Sequence, residues 1–286
     1  MTDDIKSMQL YPRAARVLAD LAAAGHGDGP VPVAELNRFD QLHYHGTEAL
    51  DVAIAALGLG ADDRLLEVGA GWGGCARYLA HATGAHVTAV ELQDDYDAIG
   101  RELTARAGLG RQVDHVRADF LDWPGPEQRF DHAASWLALF HIPQRATYLA
   151  RLHDMLRPGG QLLVEDLWLR APPPAGEAAD FRAQLFPNSL IGWDAYGATL
   201  SAAGFDILRL DDMTADWADF TAARLAAFGA ARADYTRVHG ADGYAAIAQF
   251  FDKMAGYFAR GIVGGLRVCA RRRPDAGGRH GVSRST

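Results

Sequence analysis

The stretch LLEVGAGWGGCARYLA, Leu65 to Ala80, places four glycines within six residues, between an apolar run and a helix-like segment. Such a turn uses backbone conformations that other residues avoid, and it lets whatever lies opposite come close to the main chain. An apolar strand, a glycine turn and a helix, in that order, build the mouth of the ligand crevice in an open parallel sheet. Glycine-rich turns also serve plain packing, so the surroundings decide the reading.

From Arg64 onward, strand-like and helix-like segments alternate. RLLEVG, HVTAVE (86–91), VDHVRAD (113–119), FDHAASWL (130–137) and QLLVEDLW (161–168) read as strands. Helices are expected over 73–81, 94–107 and from Pro143 to the LRPGG turn at 156–160. This rhythm predicts parallel pairing with right-handed crossovers. It then breaks: a loop at APPPAGEAAD, a short lid helix over 181–186, a helix over 193–203, and a sixth strand, FDILRL. A long helical insertion follows over 214–238 and 244–258, then a seventh strand, IVGGLRVCAR. Tyr244, Ile247, Phe251, Met254 and Phe258 recur at three- and four-residue steps, which reads as core packing. At the N-terminus, Ile5, Met8, Tyr11, Val17, Leu18 and Leu21 predict a helix over 3–24, and an Ala-rich helix runs from Glu48 to the GLG stop.

Three acids sharpen the glycine loop. Glu67, at the end of the first strand, would repel a pyrophosphate and suits a ligand bearing an ammonium or sulfonium. Glu91 ends the second strand, where a carboxylate can accept from both ribose hydroxyls. Asp119 ends the third strand; it can accept from an adenine amino group while Phe120 covers the ring. Each acid alone could be a solvated loop end. A nicotinamide-dependent dehydrogenase also uses a glycine loop, but Glu67 and Asp119-Phe120 argue against it, and no second nucleotide-binding half follows.

Taken together, E-x-G-x-G-x-G-G, the acid after the second strand, the D-F after the third and the LRPGG before the fifth resemble the class I S-adenosylmethionine-dependent methyltransferases. The resemblance spans about Asp40 to Arg271. It implies an α/β, Rossmann-like seven-stranded sheet ordered 3-2-1-4-5-7-6, with strand 7 antiparallel, helices on both faces and a helical lid. The implied organisation is an N-terminal helical cap over 1–60 and a cofactor domain over 61–271. Within that domain 171–203 is a lid segment and 213–260 a helical insertion; a disordered tail follows over 272–286.

S-adenosyl-L-methionine is the implied cofactor. Gly69, Gly71 and Gly73 would lie at its methionine part, with Glu67 beside them. Glu91 and the following Leu92 would lie at the ribose, Asp119 and Phe120 at the adenine, and Ser135 or Trp136 beside the methionine. The segment FDQLHYHGT, which the family folds over the cofactor, offers Gln41, His43, Tyr44, His45, Gly46 and Thr47. A closer likeness, carried by HYHGTEA, DMTADW and GGLRVCAR, is to small-molecule N-methyltransferases of the phosphoethanolamine and glycine/sarcosine type. No basic cluster for a phosphate is evident in the lid, where acids predominate.

Methyl transfer needs an aligned acceptor that loses its proton nearby. Asp166, His141 and Tyr44 are the catalytic candidates, and His141, Glu165, Asp166 and Trp168 the acceptor-binding ones. Direct transfer to an amine nitrogen leads. O- or C-methylation in a secondary-metabolite pathway is the alternative, favoured by the apolar WLALF. A non-catalytic cofactor-binding protein is the reading of another class.

Composition excludes more than it selects. At 286 residues the chain suits one large domain or a domain with a lid, and 49% hydrophobic with 22% charged is ordinary for a globular enzyme. No apolar run approaches the roughly 20 residues of a membrane span, so no membrane partner is expected. The acidic, polar MTDDIKSMQL does not read as a secretory signal. A net charge of -8 argues against nucleic acid. Two distant cysteines exclude a disulfide framework and zinc spacings, so a reduced, cytoplasmic protein without bound metal is expected, a monomer or homodimer acting on a small molecule.

Overall fold

A computed structural model describes Ile5 and residues 11–274. Met8 of the N-terminal stripe and the tail from residue 275 lie outside the described residues.

Seven strands form one sheet: β1 (Arg64–Val68), β2 (His86–Glu91), β3 (Val113–Arg117), β4 (Phe130–Trp136), β5 (Leu156–Leu169), β6 (Phe205–Asp212) and β7 (Val263–Arg272). Their order is β3-β2-β1-β4-β5-β7-β6. The first five pair in parallel, and β7 runs antiparallel between β5 and β6. Helices over both faces explain why the central strands are apolar throughout rather than alternating. Leu65, Val87 and Leu163 pack on one face, and Leu66, Val68, Val90 and Val164 on the other.

Ten α-helices occur among the described residues: α1 (Arg16–Ala23), α2 (Val33–Leu36), α3 (Thr47–Leu57), α4 (Gly74–Thr83), α5 (Asp94–Arg106), α6 (Arg145–Met155), α7 (Ala178–Leu185), α8 (Trp193–Ala202), α9 (Thr214–Ala230) and α10 (Arg232–Ala259). Three expectations shift. The described part of the N-terminal helix begins only at Arg16, and a short α2 follows Pro32. The break in the long insertion falls at Ala231 rather than near residue 240. The chain must reverse there so that Phe228 can stack on Tyr244 (5.0 Å, 3° between planes) and meet Tyr235 and Phe251 edge-on. The expected break survives as a kink at Gly240 (φ 77°). The LRPGG turn is drawn into β5, where Leu156 pairs with Phe130 and the register then shifts.

At the other end β7 runs one residue further than expected, through Arg272. That residue was assigned to the tail, yet it is buried and donates to the Leu156 carbonyl (3.0 Å). The two glycines of IVGGLRVCAR have a packing reason. A Cβ at Gly264 would meet the Trp168 indole at 2.4 Å, and one at Gly265 would meet Trp217 at 2.2 Å.

The segment before α3 is fastened to the sheet by a buried ion pair. Arg77 of α4 donates to Asp40 Oδ2 (2.8 Å), and neither side chain is exposed. Arg77 also donates to the Gly100 carbonyl (3.2 Å) and to Thr104 Oγ1 (3.1 Å) of α5. Gln41 donates to Asp40 Oδ1 (2.9 Å). A Cβ at Gly74 would come 2.5 Å from the Asp40 carbonyl oxygen, so the start of α4 has room for no side chain. Removing one partner of a fully buried pair leaves the other charge uncompensated. Asp40→Ala is therefore expected to lower unfolding free energy by about 3–5 kcal/mol, measured by denaturant titration. The Asp40→Leu/Arg77→Met double substitution is expected to recover most of that loss.

Candidate functional site

The glycine loop turns at the carboxyl end of β1. Gly69, Gly71 and Gly73 all have positive φ (79°, 55° and 74°). Gly69 and Gly73 are also held by packing. A Cβ at Gly69 would lie 2.2 Å from Ala138 Cβ, and one at Gly73 would lie 2.6 Å from the His115 ring. Gly69, Gly71 and Gly74 line a cavity of about 780 Å³; Gly73 does not. That volume is ordinary for a small-molecule site.

The tips of β1 to β3 supply acids to this cavity. Glu67 is buried, and its Oε2 has no hydrogen-bond partner. Burial pushes its pKa up to about 8. Glu91 accepts from the Gly71 amide (2.8 Å) and the Gln93 amide (2.9 Å), so its carboxylate ties the loop to β2 while lining the cavity. Asp119 is exposed at the rim, accepting from the Leu121 amide (2.8 Å), and Phe120 is buried beside it. Leu92, 47% exposed, completes that edge. An unpartnered buried carboxylate oxygen fits a ligand ammonium, and the acids at the next two strand tips fit hydroxyl and amino donors. The donor set fits S-adenosylmethionine.

Gln41, Tyr44 and Trp136 also line the cavity; Gly46, Thr47 and Ser135 do not. Ser135 donates to the Val68 carbonyl (2.8 Å), which spends its hydroxyl on clipping β4 to β1. Gly46 offers its carbonyl to His43 (2.9 Å), while Thr47 begins α3. His45 is turned to Asp216 (2.7 Å).

The acceptor side departs most from expectation. Asp166 is fully buried but not on the cavity. It lies behind the sheet, accepting from Tyr196 (3.0 Å) near Arg145, and burial pushes its pKa up to about 6. Glu165, on the opposite face of β5, pairs with Arg267 (2.6 Å). Trp168 donates to the Gly265 carbonyl (3.2 Å) and packs on Trp193. Strand alternation sends 165 and 166 to opposite faces, and each finds a partner before reaching the cavity. Leu167, between Asp166 and Trp168, is the residue that lines it.

His141 does line the cavity. Its Nδ1 lies 3.0 Å from the Phe186 carbonyl oxygen, an acceptor only, so Nδ1 carries the proton and Nε2 keeps its lone pair. Burial pulls its pKa down to about 4. Residues 186–189 hold the 139–141 turn by further bonds. Asn188 donates to the His141 carbonyl (2.7 Å), the Ser189 amide to the Phe140 carbonyl (2.9 Å) and the Ser189 hydroxyl to the Leu139 carbonyl (3.0 Å). Arg145 in turn donates to the Ser189 carbonyl (3.3 Å).

Around His141 the wall is apolar: Phe140, Leu185, Phe186, Phe250 and Met254. Ile247, Phe251 and Met254 of the stripe assigned to core packing also face the cavity, so that stripe serves both purposes. Tyr11, read as part of the N-terminal helical stripe, lines it too, as do Arg16 and Arg224, which no sequence signal marked. Arg16 sits 4.5 Å over the Trp72 ring, which itself stacks on Tyr96 (5.2 Å), so the N-terminal segment rests on the glycine loop. Among the described residues no helix is long and apolar enough to cross a membrane, and no group of three or more His, Cys, Asp or Glu could hold a metal ion.

Residues 65–160 match a methyltransferase domain family. The chain is 30% identical over 156 residues to a sarcosine/dimethylglycine N-methyltransferase of Halorhodospira halochloris, covering 54% of this chain and 56% of that protein. It is 29% identical over 172 residues to the 27-O-demethylrifamycin SV methyltransferase of Amycolatopsis mediterranei, covering 59% and 63%. The chain thus spans little more than half the length of these relatives. Among solved structures, phosphoethanolamine N-methyltransferase 2 of Haemonchus contortus, in complex with phosphomonomethylethanolamine and S-adenosylhomocysteine, superposes with a TM-score of 0.76. Identity there is 17%, over 92% of this chain and 58% of that one. The fold is that of the class I S-adenosylmethionine-dependent methyltransferases.

His141 is expected to stay neutral from pH 8 down to about 5, with the proton on Nδ1, as read by nitrogen NMR of the imidazole. Because its folded pKa lies below the unfolded value of about 6.5, its contribution to stability is complete above that value. It is lost as pH falls toward 4.

Proposed function

We propose that this chain, which carries a methyltransferase domain, transfers a methyl group from S-adenosylmethionine to a largely apolar small molecule, on oxygen or carbon. One observation carries the reading. A single cavity has acids from three strand tips on one side and an aromatic and aliphatic wall around His141 on the other. The described part of the cap, with Ile5 and Tyr11, and the insertion, with Ile247, Phe250, Phe251 and Met254, supply much of that wall.

When bound, the cofactor supplies a methyl group on a cationic sulfur. Glu67 would hold its ammonium, Glu91 its ribose hydroxyls, and Asp119 with Phe120 its adenine, with the main chain at Gly69 and Gly71 open to its methionine part. Tyr44 and Trp136 exclude water. His141, neutral and with a free Nε2 lone pair, takes the proton from an acceptor hydroxyl as the new bond forms. The 186–189 segment keeps that imidazole in one tautomer. The net charge of -8 supports a small molecule over nucleic acid. Two buried free cysteines are compatible with a reduced, cytoplasmic protein.

A second reading, an amine acceptor, is supported by the relative named for sarcosine and dimethylglycine. The carboxylates that would steady an amine, Glu165 and Asp166, are engaged elsewhere. Isotope-labelled S-adenosylmethionine offered with panels of hydroxyaromatic, polyketide-like and amine acceptors separates the two. Label on oxygen or carbon is expected, and label confined to amines overturns the leading reading. Binding of the cofactor with no product in any panel would favour a non-catalytic role.

His141→Ala is expected to lower kcat by about 10²–10⁴-fold for a hydroxyl acceptor, with S-adenosylhomocysteine affinity unchanged. Glu67, raised to about 8 without ligand, is mostly protonated at pH 7. An ammonium beside it favours the carboxylate, so S-adenosylmethionine binding is expected to release close to one proton at that pH and to tighten as pH rises toward 8. Calorimetry in two buffers of different ionisation enthalpy measures the release, and Glu67→Gln should abolish it.

A further inference from the structure

Arg224 stands on α9 in the cavity wall. Its guanidinium carbon lies 4.3 Å from the Phe251 ring centroid, 4.9 Å from Tyr44 and 5.4 Å from Phe220. All three rings belong to the apolar cluster that also holds Phe140 and Phe186, the residues on either side of the His141 imidazole. The residue is half-buried, and its Nε is shut off from solvent with no acceptor. Tyr44 is its polar neighbour; no carboxylate pairs with it among the described residues.

Other sequestered arginines here are treated differently. Arg77 has Asp40 and Arg267 has Glu165, while Arg145 feels Asp166. An arginine remains cationic under any ordinary condition, and a cation in apolar surroundings is costly unless paired. Aromatic faces offset part of that cost. Burial pulls the Arg224 pKa below the usual guanidinium value. Of the acids that line the cavity, Glu67, Glu91 and Asp119 stand at the strand tips, Asp40 is paired with Arg77 and Asp20 with His239 (2.6 Å), so none of them pairs with Arg224.

We propose that Arg224 reads an anionic group on the acceptor, and that the acceptor is an apolar molecule bearing a carboxylate. The guanidinium fork matches a planar carboxylate through two parallel N–H donors. The aromatic rings beside it cover the apolar body of the same molecule. The assignment rests on the methyltransferase reading and narrows its substrate class.

The test uses the full chain saturated with S-adenosylhomocysteine and four calorimetric probes of one shape: 2-naphthoate, 2-naphthalenemethanol, 2-naphthylmethylamine and 2-naphthyl phosphate. Naphthoate is expected to bind about 10- to 100-fold more tightly than the neutral alcohol, the range for a charge-assisted pair. Arg224→Gln should erase that preference while leaving S-adenosylhomocysteine affinity unchanged, and Arg224→Lys should keep part of it. Equal binding of acid and alcohol, a preference for the amine or the phosphate, a preference that survives Arg224→Gln, or no probe binding overturns the proposal. In those cases retained S-adenosylhomocysteine binding leaves the methyltransferase reading standing. Failure to bind S-adenosylhomocysteine at all defeats that reading first, and this proposal with it.

Discussion

The buried Asp40–Arg77 pair is the interaction on which the site depends. The strand tips and glycine loop form half a crevice, open on the side away from the sheet. Arg77 reaches from α4 to α5 and to the chain before α3, so one guanidinium fixes the segment carrying Gln41, Leu42, His43 and Tyr44 over the loop. Desolvation pushes the Asp40 pKa up even with Arg77 beside it. A pair of this kind is weak as a source of stability and strong as a source of register. The alternative positions of the segment would each leave a bare charge in the core.

Above that fastening the cavity is divided by chemistry. Its floor is main chain and carboxylate, raised on the ends of parallel strands where open α/β sheets bind ligands. Its roof is aromatic and aliphatic, assembled from four stretches far apart in the sequence: the N-terminal segment, the 139–141 turn, the 185–188 loop and the α9–α10 hairpin. The floor suits a cationic, hydrogen-bonding ligand; the roof suits an apolar one and shields the reacting groups from water. His141 stands on the roof side. Its tautomer is chosen by a carbonyl from the loop after α7, so the proton position on the ring depends on how residues 186–189 pack.

The sheet was legible because each of its strands is a local pattern. Continuous apolar runs bounded by glycine and acid turns identified all seven strands, while their order and the antiparallel seventh came from the family resemblance. The strand-tip side of the cavity was legible for the same reason. Glu67, Gly71, Glu91 and Asp119 stand at strand ends, where position in the chain and position in space coincide. Helix ends in the insertion were less legible. The reversal at Ala231 has no proline, its neighbouring Gly229 lies within α9, and it brings Phe228 against Tyr235, Tyr244 and Phe251.

The acceptor side was not legible, and Asp166 shows why. A carboxylate near the end of a central strand reads as functional, yet one residue of register decides which face it takes. The fold turned Asp166 to Tyr196 and left Leu167 on the cavity. Arg224 gives the converse case: nothing in an alanine-rich helix marks it, and its meaning arises only where Tyr44 and Phe251 converge on it. The amino-acid sequence alone determined the sheet and the acids around the glycine loop, because hydrophobic period and turn chemistry act over a few residues. Only the tertiary structure decided what the second half of the cavity presents, because its wall is made by segments far apart in the chain, from Tyr11 to Met254, whose facing side chains no local pattern records.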